Sequence, residues 1–280
     1  MKVCLVLEGG AMRGLYTAGV LDSLLDTNIK VNTIIGVSAG ALFGVNYASK
    51  QKGRSLRYNK KYCKDKRYMS LSSLIKTGNL VNTEFAYHEL PTKLDIFDEE
   101  TYSKSNIDFY AVVTNINSGE AEYKKIINAT IQVDELRASG AMPYVSQPVK
   151  INDEYYLDGA LADSIPILKA QEMGFDKIIV VLTKPLNYRK KKRPSWIAKL
   201  FYGKYPKLVE AINNRYKMYN ETLDLVNKLE KKKEIFVFRP STDLKISRVE
   251  KDPDKLQAMY DLGINDFNNN LSKLKKFLKK

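Results

Sequence analysis

The chain has 280 residues, 44% of them hydrophobic, and a formal charge of +14 from 46 basic and 32 acidic side chains. That length and apolar content suffice for a substantial core, in one large domain or a domain with an appended part, while no run approaches the ~18 uninterrupted apolar residues of a membrane-spanning helix. Cys4 and Cys63 are too few for a disulfide framework or zinc cluster, and the positive charge favours polyanions without choosing between nucleic acid and an anionic bilayer.

The first strand-like run, Val3 to Leu7, begins almost directly after Met1, with no basic segment and separate apolar stretch of a secretory signal ahead of it. The expected setting is therefore the reducing cytoplasm, compatible with peripheral contact at the inner face of the membrane. A glycine-rich turn leads to a helix over about Leu15 to Leu25, a second strand-like run over Val31 to Ile35, and a helix over about Ala39 to Ser49. This βαβα rhythm predicts an α/β, three-layer fold with a mostly parallel central sheet covered by helices. From Lys50 to Lys76 the chain turns polar and basic, with Tyr58, Tyr62 and Tyr68 among lysines, and reads as helix plus loop on the surface. Further strands are expected over Phe109 to Thr114, Tyr155 to Leu157, Ile178 to Thr183 and Ile235 to Phe238, and one sheet could hold them all. A basic run, Arg189 to Arg193, precedes Trp196, Ile197, Leu200, Phe201 and Tyr202. It reads either as a membrane-docking element spanning 189–202 or as a solvated loop entering a packed helix. Long helices are expected over about Pro206 to Lys233 and from Pro253 onward.

Gly36-Val37-Ser38-Ala39-Gly40 has the pattern of a nucleophile elbow, in which a serine on a sharp strand-to-helix turn is lifted clear of the sheet. Its three fixed positions recur by chance in about one chain in ten of this length, so the flanking strand and helix matter. The competing reading is a βα turn with an N-capping serine. A serine hydroxyl needs a base, and the single histidine, His88, lies in a segment with no strand ending at it and reads as a surface residue. Asp158 remains: it ends the apolar run Tyr155-Tyr156-Leu157 and precedes Gly159, a glycine expected to permit an unusual turn. Apolar burial could raise its basicity enough to serve, although an Asp-Gly turn accounts for the same residues.

Glu8-Gly9-Gly10-Ala11-Met12-Arg13-Gly14 follows the first strand and enters a helix, a place where exposed amides suit the developing charge of an acyl-transfer intermediate. Arg13 could add charge or bind a lipid phosphate. The rival dinucleotide reading is weakened because Ala11 occupies the second glycine position and no acid follows the second strand. A phosphate loop of the Gly-Lys-Ser or Gly-Lys-Thr type is absent.

The glycine-rich turn ending in Arg-Gly, the Gly-x-Ser-x-Gly elbow and the late Asp-Gly-Ala together resemble the patatin-like phospholipase family, in particular its bacterial members. Secondary similarity lies in Val113-Thr114-Asn115, in Ala138 through Pro143 and in Asp158 through Pro166. The resemblance implies a serine esterase acting on lipid acyl esters without metal or cofactor. In it Ser38 is the nucleophile, Asp158 the dyad base, and the amides of Gly9, Gly10, Ala11 and Met12 the oxyanion hole. It implies a catalytic core over 1–185; residues 186–280 are then expected as a basic loop, helices and a strand packing on the same domain. Many relatives carry glycine where this chain has Ala11, a change expected to be tolerated if that residue keeps negative φ. The alternative function is a catalytically silent lipid- or nucleic-acid-binding protein on the same fold, drawn by the positive charge; the intact serine and aspartate argue against lost catalysis, and nucleic acid is not the expected partner. Oligomeric state and the lipid itself are not implied.

Overall fold

Alternate side chains of the first strand, β1 (Val3–Leu7), serve two different cores. Val3, Leu5 and Leu7 join one apolar cluster, and Cys4 and Val6 the other. A strand apolar on both faces must be covered on both faces, so it lies mid-sheet. The computed structural model describes residues 1–192 and 194–279. In chain order, a short 3-10 turn (Ala11–Gly14) leads into α1 (Leu15–Leu25), β2 (Thr33–Val37), α2 (Ala39–Ala48), α3 (Arg54–Tyr62) and α4 (Leu71–Thr77). A π-helical segment (Glu84–Leu94), α5 (Glu99–Ser103), β3 (Asp108–Asn115), β4 (Ala121–Ile126), α6 (Val133–Gly140), β5 (Val149–Ile151) and β6 (Glu154–Asp158) follow. The chain continues through α7 (Ile167–Glu172), β7 (Lys177–Val181), α8 (Ser195–Tyr202), α9 (Pro206–Lys231), β8 (Ile235–Phe238) and α10 (Pro253–Leu278).

Among the described residues eight strands form one sheet in the order β5-β6-β3-β2-β1-β7-β8, with β4 also on β3. The block β3-β2-β1-β7-β8 is parallel, and β4, β5 and β6 add antiparallel pairs. Residues from α1, α2, α3 and α10 fill the core on one face, and residues from α7 and α9 fill the other. This is the expected three-layer α/β fold with a mostly parallel sheet. The strands read from the sequence all lie in it, whereas β4 and β5 escaped notice. Ala121–Ile126 carries Glu122, Lys124 and Lys125 because it is an edge strand, where charge protects against stray pairing, and β5 has only 3 residues.

The pairing of β3 positions everything that follows. Its residues 109–114 pair with β4 along one edge. On the opposite edge Asp108–Val112 pair with β2, and Val113–Asn115 pair with β6, which runs the other way. The carboxyl ends of β2 and β6 therefore meet head to head, Val37 opposite Val112 and Asp158 opposite Val113.

The region around residues 50–76 departs from expectation. Arg54, Ser55, Tyr58, Asn59 and Tyr62 form one buried face of α3 at helical spacing, and Tyr58 and Tyr62 belong to the main core. The lysines that made this segment look like surface occupy the other face. At the far end of the chain α10 lies against α1 at very short range. A Cβ added at Gly19 would stand 2.1 Å from the Tyr260 carbonyl oxygen, and one at Gly263 would stand 2.2 Å from that of Tyr16. The Tyr260 hydroxyl donates to Asp22 Oδ2 at 2.7 Å across the same contact. No described helix is long and apolar enough to cross a membrane.

Candidate active site

Ser38 follows the last residue of β2 and stands at the N-cap position of α2 without a side-chain capping bond, with φ 55° and ψ −123°, a positive φ that L-residues adopt only under structural compulsion. The turn is tight on its helix side: a Cβ on Gly40 would lie 2.5 Å from the Leu7 carbonyl oxygen, so the second glycine of the pentapeptide is a packing requirement. The strained turn aims the hydroxyl at β6, where Ser38 Oγ donates to Asp158 Oδ2 at 2.7 Å. Both residues are buried.

Asp158 is held on every side. Its other oxygen, Oδ1, accepts the Ala160 N–H at 2.8 Å, its carbonyl accepts the Thr114 hydroxyl at 2.9 Å, and its own N–H donates to the Ala141 carbonyl at 2.9 Å. Burial raises its carboxyl above the usual range, against the opposing pull of Arg215, the Ser38 hydrogen bond, the Ala160 N–H and Arg248. Gly159 has no positive φ; contrary to the turn expected from the sequence, its role is clearance, since a Cβ there would stand 2.2 Å from the Val112 carbonyl oxygen.

Ser139, fully buried on α6, accepts the Ser38 backbone N–H on its hydroxyl oxygen at 2.8 Å. Residues 139–141 thus hold both partners, Ser38 through Ser139 and Asp158 through Ala141. The sequence named this stretch without assigning it a task, because the contact joins residues 101 positions apart.

The glycine-rich turn runs alongside. A Cβ on Gly9 would meet Ser38 Cβ at 2.8 Å, so the turn passes directly over the serine. Ala11 has φ 49°, contrary to the negative φ expected, and its methyl group carries the cost that glycine would avoid. The Met12 amide donates to the Arg248 carbonyl at a long 3.5 Å. Glu8 anchors the turn: its carboxylate accepts the Thr183 N–H and the Tyr219 hydroxyl, each at 2.6 Å.

Two cavities adjoin Ser38. One, of about 210 Å³, is walled by apolar side chains including Leu42, Phe43, Tyr58, Leu90, Phe97 and Leu136. It exceeds the ~150 Å³ apolar cavity that accepts benzene. The other, of about 40 Å³, contains Ser38, Asp158 and the Gly9–Ala11 turn, together with five basic residues: Arg13, Lys184, Lys190, Arg215 and Arg248. The sequence placed only Arg13 there. His88 is exposed at the rim of the apolar cavity. Among the described residues no group of three or more His, Cys, Asp or Glu could hold a metal ion.

A family model for patatin-like phospholipase matches residues 5–170, which include the elbow, the glycine-rich turn and Asp158. The chain belongs to the patatin-like phospholipase family. Residues 205–279, beyond that match, fit a second family model, a domain of unknown function, DUF6363. Among relatives, the uncharacterized protein YjjU of Escherichia coli is 25% identical over 87% of this chain and 70% of its own length. A probable lipid hydrolase, 463L of Invertebrate iridescent virus 6, is 25% identical over 92% of this chain and 85% of its own. Lysophospholipase nte1 of Aspergillus oryzae is 25% identical over 64% of this chain, a match spanning 12% of that protein. Among solved structures, VipD from Legionella pneumophila aligns with TM-score 0.49 and 15% identity over 97% of this chain and 67% of its own.

Proposed function

We propose that this patatin-like protein is a serine esterase that hydrolyses lipid acyl esters through a Ser38–Asp158 dyad. The observation that carries the reading is the 2.7 Å hydrogen bond to the buried Asp158 carboxylate from Ser38 Oγ, a residue that lines both the apolar and the cationic cavity. In the first half-reaction Ser38 Oγ attacks the ester carbonyl carbon while its proton passes to Asp158. The carbonyl oxygen becomes an oxyanion facing the amides of the Gly9–Met12 turn, with Gly10 and Ala11 the better placed donors because Met12 already donates to Arg248. Collapse of that intermediate breaks the acyl–oxygen bond, and Asp158 returns the proton to the departing alcohol. Water then attacks the acyl-serine, giving its proton to Asp158, and the fatty acid leaves as Ser38 is re-protonated. The apolar cavity takes the acyl chain, Arg13 lies on the substrate's polar side, and the chemistry calls for no cofactor.

A fluorophosphonate probe should label the wild type and not Ser38→Ala. Asp158→Asn should lower ester turnover by roughly 10³-fold or more, and His88→Ala should leave it nearly intact. Equal damage from His88→Ala and Ser38→Ala would overturn the dyad. Salt-sensitive nucleic-acid binding without labelling at Ser38 would favour the silent binding protein instead.

Peripheral membrane contact through 189–202 is part of the same proposal. On α8 Trp196, Leu200 and Phe201 are exposed while Ala198 and Tyr202 are buried, so the helix turns an apolar face outward, preceded by exposed Lys191 and Lys192. Arg193 of the basic run lies outside the described residues. Arg189 is tied to Asp224 at 2.5 Å, and the Lys190 backbone exchanges hydrogen bonds with Asn220 at 2.9 and 3.0 Å, which leaves the two exposed lysines and the α8 face to meet lipid. Trp196→Ser/Phe201→Ser should reduce sedimentation with anionic vesicles; unchanged binding would remove α8 from the contact.

A further inference from the structure

Four of the five basic residues of the cationic cavity lie beyond the match to the patatin-like phospholipase family. Lys184, Lys190, Arg215 and Arg248 come from the chain after β7 and converge with Arg13 on a space of about 40 Å³ that reaches Ser38 and Asp158. That is room for on the order of three waters, comparable to a phosphate group. It continues into a larger groove of about 560 Å³ that shares Tyr188, Lys190, Arg215 and Arg248 and is further lined by Lys191 and Lys192. Two carboxylates share the small cavity, but both are engaged: Glu8 with Thr183 and Tyr219, Asp158 with Ser38 and Ala160. The Nε of Arg13 is buried with no hydrogen-bond partner among the described residues, a donor for which an anionic ligand would supply the acceptor.

The aromatic residues there argue against a quaternary ammonium ligand. Such cations bind on the faces of aromatic rings, and here a face of each ring is taken: Lys184 Nζ stands 4.8 Å from the Tyr188 ring centre and Lys190 Nζ 4.2 Å from that of Tyr219. The cations also crowd one another. Burial, then the nearby Arg215, brings Lys190 down to about 7, and burial with Arg13 lowers Lys184. A bound anion relieves that crowding.

We propose that this cavity binds the phosphate of an anionic glycerophospholipid headgroup, and that Lys184, Lys190, Arg215 and Arg248 make the protein favour headgroups without a cation over those bearing choline. This specificity rests on the esterase reading, for it assumes that the acyl ester lies at Ser38 while the phosphate occupies the cations beside it. Phosphate at that site holds the headgroup on the cationic side and leaves the chain to the apolar cavity.

The test compares kcat/KM for oleoyl lysophosphatidylglycerol and oleoyl lysophosphatidylcholine, which share an acyl chain and differ in headgroup charge. The wild type should prefer the anionic lipid by about ten-fold or more, the effect of one charge-assisted contact, and Lys190→Gln/Arg215→Gln should bring the ratio close to one. Arg248→Gln, at an exposed position, should lower the ratio as well and provides the reading if the double variant melts early. Calorimetry on Ser38→Ala with glycerophosphate and with inorganic phosphate separates a headgroup from free phosphate as the ligand, with the glycerol ester expected to bind more tightly. Hydrolysis of both lipids at a ratio near one, a ratio unmoved by the variants, or equal binding of the two phosphates overturns the headgroup site. Absence of any ester hydrolysis with glycerophosphate binding retained overturns the esterase reading instead, leaving a phosphate site without the chemistry.

Discussion

Asp158 is a carboxyl group whose surroundings favour its protonated form, and the consequence for stability has a definite sign. Its folded-state pKa is raised by burial, so its stabilising contribution is complete below the unfolded value of about 3.9 and is lost as pH rises through the folded value. At neutral pH the ionised group is a burden. Asp158→Asn is therefore expected to melt at or above the wild-type temperature in a calorimetric scan at pH 7 while losing turnover, and wild-type kcat/KM should fall on the acid side at a pH above that of a free aspartate. Ala11 gives the opposite kind of test. With φ 49° it bears a cost of about 1–2 kcal/mol that glycine escapes, partly offset by glycine's greater freedom when unfolded. Ala11→Gly should raise Tm by about 2 °C, measured by thermal melting. Ser38 and Asp158 were legible in the sequence because each sits between an apolar run and small residues that announce a tight turn. Arg215 was not, because nothing local distinguishes it, and Ser139 and Lys190 stood in stretches that were noticed but given other tasks or none. Their partners lie far along the chain, and only the closed sheet and its helices bring them together.

The contact between α1 and α10 shows how closely two helices can be obliged to pack. Gly19 and Gly263 each face the other helix's backbone at a distance no methyl group could share. Gly263→Ala should thus cost about 1–3 kcal/mol in chemical denaturation, the range for overpacking a close-fitted core, and Gly19→Ala should do the same. The periodicity of α10 was readable in advance from Leu256, Met259, Tyr260, Phe267, Leu271, Leu274 and Leu278, all buried except Leu271 and Leu278, which are half-buried against the same core. The neighbour that α10 covers was not. In α3 the same period was present in Arg54, Tyr58 and Tyr62 but was obscured by intervening lysines, so a wall of the apolar cavity passed for surface. Composition outweighed spacing there, and spacing was the better guide.

Taken whole, the molecule depends on its last hundred residues for more than bulk. β8 extends the sheet beside β7, α10 packs on α1, and Lys190, Arg215 and Arg248 line the small cavity at Ser38. A chain ending at Asp252 would strip Tyr16 and Asp22, both now buried, of their partners Gly263 and Tyr260. It is expected to lack a cooperative melting transition and near-ultraviolet circular dichroism, and a cooperative melt near the wild-type temperature would refute this. The layered sheet could be anticipated from alternating strand and helix patterns; the meeting of β2 and β6 could not, since register between remote strands leaves no local trace. That meeting makes the Ser38–Asp158 contact a seam whose gap is counted in residues of β3. Sliding β6 by one position would carry the carboxylate about 3.4 Å away and turn it to the other face. The same slip would turn the buried Tyr156 and Leu157 out of the core, so the register that brings the hydroxyl to the carboxylate is guarded by the packing of the strand that carries it.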